Sequence, residues 1–185
     1  MYSGYGYHGK LSAKDIGNIS GAVMNKQEIY SYLKDRHIWY EVTEHTAVYN
    51  MEELSKIALP YPEQEAKNLF VRDDKKENYY LITVKGSKRV DLKAFKKGNG
   101  TRPLCFASEE ELMRILQLTP GSVTPFGIFH DRERSVHFYI DREFLDAPHF
   151  LGVHPNENTA TVWIKTQDLA DLIREHGNSV DVADI

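Results

Sequence analysis

Lys67 opens an apolar run, Lys67-Asn68-Leu69-Phe70-Val71, and much later the chain carries a turn built from Gly152-Val153-His154-Pro155-Asn156. A lysine is a compact charge on a flexible stem, suited to holding a phosphate or a developing oxyanion. A loop shaped by glycine and proline can aim backbone N–H groups at the same negative charge, and its glycine lets a ligand come close. A third segment, Leu118-Thr119-Pro120-Gly121-Ser122-Val123-Thr124-Pro125-Phe126-Gly127, turns at Pro120-Gly121. Behind that turn, Ser122, Thr124 and Phe126 either line a pocket or pack. Asn68 and Asn156 are the polar groups next to the lysine and the glycine turn. Each residue also has a plainer explanation. Lys67 could be a surface lysine at a strand start, and His154 a loop histidine tied to backbone carbonyls. His45 and His130 read as structural or solvent-exposed.

Other chemistries are missing from the sequence. It has no phosphate-binding Walker loop, no Rossmann glycine fingerprint, no nucleophile elbow, no zinc-protease helix and no calcium loop. The eight histidines include no pair at helical ligand spacing with a third ligand behind it, so no metal site is expected. The single cysteine, Cys105, excludes an intrachain disulfide and every multi-cysteine zinc pattern. It reads as a small buried hydrophobe and fits a reducing, cytoplasmic setting. Gly98-Asn99-Gly100 reads as an ordinary turn.

Charge is unevenly distributed. Residues 85–102 hold Lys85, Lys88, Arg89, Lys93, Lys96, Lys97 and Arg102 against one acid, Asp91. That local excess of six sits in a chain of net charge −4, so the remainder carries −10. Such a patch suits a grip on a short stretch of phosphate backbone, although a solvated helix face would look the same.

The elements that must position these residues are legible in outline. At 185 residues, with 41% hydrophobic and 27% charged residues, the chain fits one globular domain. No apolar run approaches the roughly 18–20 residues of a membrane helix. Residues 1–24 read as an extension of unknown role without the pattern of a secretory signal, 25–177 as the domain, and 178–185 as a tail. Asn25, Asn50 and Ser108 are each followed three residues later by a glutamate, a helix-start signature. Helices are therefore expected over 26–36, from Asn50 to Ala58 and from Ser108 to Leu116. Asp91 and Thr166 are expected to cap two more, ending near Gly100 and Gly177. Strands are expected at 38–42, 68–71, 79–84, 104–107, 123–129, 136–140 and 159–165, with a helical turn over 141–145. Hairpin-sized gaps favour an α/β fold with a central mixed, mostly antiparallel, barrel-like sheet surrounded by helices.

In this order and spacing, the three segments resemble the YbaK/prolyl-tRNA-synthetase-associated editing family, and within it the free-standing ProX-type members. Asp91-Leu92-Lys93, Phe106-Ala107-Ser108 and Val136 to Asp141 extend the match across about residues 25–175. The resemblance implies a trans-editing hydrolase that removes the amino acid from mischarged tRNA(Pro), with alanine the expected one. A deacylase for another mischarged tRNA, such as cysteinyl-tRNA(Pro), and a non-catalytic tRNA- or synthetase-binding module are the alternatives. It also implies the YbaK-type α/β fold and no metal or organic cofactor. The partner is the tRNA(Pro) acceptor end, with prolyl-tRNA synthetase a second expectation and no DNA or membrane partner. The family's lysine falls on Lys67, and its glycine-and-proline loop on Gly152 to Pro155. That loop is written GxxxP, whereas Gly152 precedes Pro155 by three positions. Lys67, Gly152 and His154 are thus the expected catalytic residues. Asn68, Pro155, Asn156, Ser122 and Thr124 are expected to bind substrate, and Lys88, Arg89, Lys93 and Lys97 to contact tRNA.

Overall fold

The computed structural model describes residues 24–47 and 57–185. The helix expected from Asn50 and nearly all of the 1–24 extension lie outside these residues. Helix α1 (Lys26–Asp35) starts with a complete capping box: Asn25 accepts from the Gln27 and Glu28 amides, and Glu28 accepts from the Asn25 amide. Its Ile29 and Leu33 are buried one turn apart. Strand β1 (Tyr40–Glu44) follows, then β2 (Ala66–Asp73) and β3 (Tyr79–Lys85), which form the expected hairpin. Asp91 caps α2 (Leu92–Asn99), and Gly100 ends it at φ 66°. β4 (Leu104–Phe106) leads into α3 (Glu109–Leu116), whose Ser108–Glu111 capping box is also complete. The remaining strands and α-helix are β5 (Val136–Asp141), β6 (Phe150–Val153), β7 (Ala160–Lys165), α4 (Thr166–His176) and β8 (Val180–Ala183), with a 3-10 turn at Arg142–Leu145 where a helical turn was expected.

The strands make two sheets. One is antiparallel in the order β1-β7-β6; the other runs β4-β2-β3-β5-β8, with β5 parallel to both β3 and β8. An isolated parallel bridge, Glu65 to Gly152, joins them at the start of β2. The sheet is therefore mixed and mostly antiparallel, as expected, but the described pairings form two bridged sheets rather than a closed barrel. Side chains alternate along β2. Ala66 and Phe70 enter the large core with Ile29, Leu116, Phe126, Leu151 and Ile173, while Leu69 and Val71 join a smaller cluster with Ile82, Val84 and Phe95 under α2. No described helix is long and apolar enough to cross a membrane.

Four sequence expectations need correction. Residues 123–129 are not a strand; Pro125–His130 is a 3-10 turn with its first five residues buried. Pro125 lacks an amide hydrogen for a ladder, and the apolar run reflects burial on every side rather than alternation. Thr166 does not cap α4; its hydroxyl donates instead to the Phe144 carbonyl at 2.7 Å. Cys105 is exposed, because β4 is an edge strand and turns Leu104 inward instead. Finally, the segment set apart as a tail, 178–185, contains β8, which pairs with β5.

Candidate active site

The start of β2 gathers the three segments singled out in the sequence. Through the Glu65–Gly152 bridge, β6 lies beside the entry to β2. One residue past Lys67, the Asn68 amide donates to the Val123 carbonyl at 3.1 Å, and the Thr83 hydroxyl donates to the Asn68 side-chain oxygen at 2.6 Å. Thr124, fully buried, donates to the His154 carbonyl at 2.6 Å. Asn68, Val123, Thr124 and His154 therefore form one connected set.

Lys67 leaves β2 on the opposite face from Asn68 by strand alternation. Its amine donates to the Lys88 carbonyl. Burial, helped by the nearby Arg89 charge, lowers its pKa. Among the described residues, no carboxylate pairs with this ammonium, and no hydrogen bond links it to the glycine turn. The lysine and the turn share one end of β2 through the backbone.

The turn itself is tightly built. Gly152 lies within β6 opposite Trp163, and a Cβ there would collide with the indole ring. Its lack of a side chain thus has a packing cause. The His154 ring is largely buried, and its Nδ1 has no hydrogen-bond partner among the described residues. Burial, and next the His45 ring 6.1 Å away, pull its pKa down to about 4. His154 is therefore neutral near pH 7 and cannot serve there as a cation. Pro155 is buried. Asn156 sits at φ 62° and donates to the Met24 carbonyl at 2.8 Å, tying the turn to the entry of α1. The Ser122 hydroxyl closes its own turn onto the Thr119 carbonyl at 2.9 Å.

His45 and His130, expected to be structural or solvent-exposed, are both held by protein groups. His45 Nε2 lies 3.1 Å from the Thr161 hydroxyl. His130 Nε2 accepts from the Met24 amide at 2.7 Å, so its Nδ1–H donates to the Leu116 carbonyl at 2.9 Å.

Two features of this region escaped the sequence reading. The GxxxP spacing, absent from Gly152–Pro155, occurs at Gly121–Pro125, and Gly121 adopts φ 86°. The spacing alone could have revealed it. Glu65 is buried, its Oε1 has no hydrogen-bond partner among the described residues, and burial pushes its pKa up to about 7. No periodicity marks a buried glutamate in advance.

The basic segment divides into two groups. Lys88 is fully committed: its amine lies 2.8 Å from Asp141, 2.8 Å from Glu143 and 2.6 Å from the Ile185 carbonyl. Lys88, expected to contact tRNA, thus clamps its loop to Asp141, Glu143 and the end of the described chain. Arg102 pairs with Asp74 at 2.8 Å. Arg89, Lys93, Lys96 and Lys97 are exposed, and none has a carboxylate partner among the described residues. No described group of three or more His, Cys, Asp or Glu is placed to hold a metal ion.

Residues 45–172 match the aminoacyl-tRNA editing domain family. The chain is 36% identical over 154 residues to the prolyl-tRNA editing protein ProX of Acetoanaerobium sticklandii, covering 83% of this chain and 93% of that one. It is 33% identical over 141 residues to the mouse prolyl-tRNA synthetase associated domain-containing protein 1, covering 75% and 83%. A crystal structure described as a candidate trans-editing enzyme for prolyl tRNA synthetase superposes with a TM-score of 0.66 at 23% identity, over 86% of this chain and 94% of that one. This last likeness concerns the fold.

Proposed function

The chain belongs to the aminoacyl-tRNA editing domain family, and from that membership we propose that it is a trans-editing hydrolase that deacylates mischarged tRNA(Pro), with alanyl-tRNA(Pro) the substrate. The observation that carries this reading is the meeting of three segments at one end of β2: the Glu65–Gly152 bridge, the Asn68–Val123 bond and the Thr124–His154 bond.

The chemistry asks little of any single side chain. Water attacks the ester carbonyl, a tetrahedral oxyanion forms, and the ribose oxygen leaves with a proton. The ester is already activated, and the neighbouring ribose hydroxyl can assist. Orienting water and ester alone can supply several kcal/mol. With a pKa of about 4, His154 is too weak a base to drive the step at pH 7. It serves better as a neutral hydrogen-bonding wall. Backbone N–H groups of the turns at 121–125 and 152–155 are suited to the oxyanion. Lys67, whose ammonium faces a carbonyl and no described carboxylate, can exchange that bond for the terminal phosphate or the oxyanion. No metal or organic cofactor enters this scheme, and the activity is proposed for the cytoplasm. Selection is by size: a pocket that admits alanine rejects the proline ring by clash, whereas one missing methylene is worth only about 1–3 kcal/mol.

The test compares purified protein on alanyl-tRNA(Pro) and prolyl-tRNA(Pro), with cysteinyl-tRNA(Pro) alongside. Rapid loss of alanine with proline retained supports the proposal. Faster release of cysteine moves the substrate, and tRNA bound with every ester intact makes the protein a binding module.

A further inference from the structure

α2 and the edge strand β4 enclose an open groove of about 570 Å³ lined by Leu92, Lys93, Lys96, Lys97, Pro103 and Leu104. Three ammonium groups rim an apolar floor. None of them has a carboxylate partner among the described residues, although the chain as a whole is acidic. Both neighbouring cations differ, since Lys88 and Arg102 are neutralised by acids. The groove therefore gathers three of the basic segment's cations that no described carboxylate neutralises, Arg89 lying outside it. An aromatic ring stands close by. Phe106 is 64% exposed and pairs with Val71, so it emerges on the α2 face of β2, the face that Leu104 and Lys67 also share.

These groups lie in order along β2. Lys67 is at its start, Val71 with Phe106 further on, and Asp73 with Leu104 at its end. At about 3.3 Å per residue, roughly 20 Å separates Lys67 from the groove. Positive charge that tracks a backbone, interleaved with an exposed aromatic, is how single-stranded nucleic acid is held without sequence readout.

We propose that the α2–β4 groove binds the phosphodiester backbone of the RNA strand leading into the site, with Phe106 stacking on one of its bases, while the aminoacylated 3′ end reaches Lys67. This rests on the editing reading and deepens it: Lys96, Leu104 and Phe106 join Lys93 and Lys97 in a track, and Lys88 leaves it. The groove supplies affinity for the body of the tRNA and takes no part in cleaving the ester.

The experiment measures the affinity of uncharged tRNA(Pro) across a salt series. Lys93→Gln, Lys96→Gln and Lys97→Gln are combined in one variant. A control variant carries Lys34→Gln, Arg132→Gln and Lys165→Gln, the same charge change on exposed residues elsewhere. Phe106→Ala is tested separately. Both triple variants and the wild type are also assayed on alanyl-adenosine, which is too short to reach the groove. The groove variant is expected to bind tRNA about tenfold more weakly, with the slope of log K against log salt shallower by about 2. The control should keep the wild-type slope, and turnover of alanyl-adenosine should be the same in all. An unchanged slope in the groove variant, or an equal loss in groove and control variants, overturns the proposal. So does a matching loss on alanyl-adenosine. If the groove variant alone loses tRNA affinity while the wild type cleaves no ester, the groove stands and the hydrolase reading falls.

Discussion

The two ends of β2 differ in the polar groups they offer a ligand. At its start, Glu65 and Thr124 are buried and Asn68 and His154 half-buried, and the fold either bonds these groups or, by burial, disfavours their charged forms. At its end, the α2–β4 rim leaves three lysines in water, their amines paired with no carboxylate among the described residues. A buried polar group without a partner costs stability wherever it sits, so the first arrangement persists only in a rigid frame. An exposed lysine costs almost nothing, and its charge stays available. The interior end suits the orienting of a small reactive group, and the exposed end suits the loose holding of a long polyanion. Lys67 stands between the two, partly buried yet unneutralised.

Mutations can break this contrast, beginning with the strongest effect. Lys88→Ala strips the only described cation from Asp141, which is 1% exposed. A loss of about 3 kcal/mol in chemical denaturation is expected, toward the low end of the range for broken buried pairs because Lys88 itself is partly exposed. A Lys88 that can be removed without cost would return it to the free basic rim. Glu65→Gln tests the opposite case. The carboxyl's folded pKa lies above its ordinary value, so its ionisation destabilises the fold as pH rises through about 7. The variant should gain about 2 kcal/mol over wild type at pH 9 and converge with it below pH 4.5. Equal stability at both pH values would mean that the carboxylate is solvated.

His154 gives the mirror-image pH effect. Its folded pKa of about 4 lies below the ordinary 6.5, so the unfolded chain binds the extra proton and stability is lost as pH falls from 6.5 toward 4. His154→Gln should flatten that part of the stability profile by about 3 kcal/mol. A smaller loss is expected for Thr124→Val, about 1–2 kcal/mol, since it removes the hydroxyl from the His154 carbonyl. Lys97→Gln should move stability by less than about 0.5 kcal/mol while weakening tRNA binding, which would separate the rim from the frame.

How much of this could be read from the sequence depends on how local each cause is. Caps are local, so Asn25, Asp91 and Ser108 announced their helices, and the polar turn after Asp73 announced its hairpin. β6 and β8 were missed because their strand character comes from distant partners, β7 and β5. Residues 123–129 were misread because complete burial hides the period that separates a strand from a turn. At the site, residue types and order located the three segments but not their contacts. That Gly152 makes room for Trp163, and that Asn156 holds the entry of α1, follows from tertiary packing alone. Lys88 and Lys93 look alike in sequence, and only the fold sets Asp141 beside the first.

The most direct measurement is the single-turnover rate of alanyl-tRNA(Pro) deacylation by Lys67→Ala against wild type, with thermal melting as the control for folding. A fall of about a hundredfold or more at an unchanged melting temperature is expected if this ammonium meets the phosphate or the oxyanion. A variant that cleaves alanine at the wild-type rate would contradict a reaction site at the start of β2.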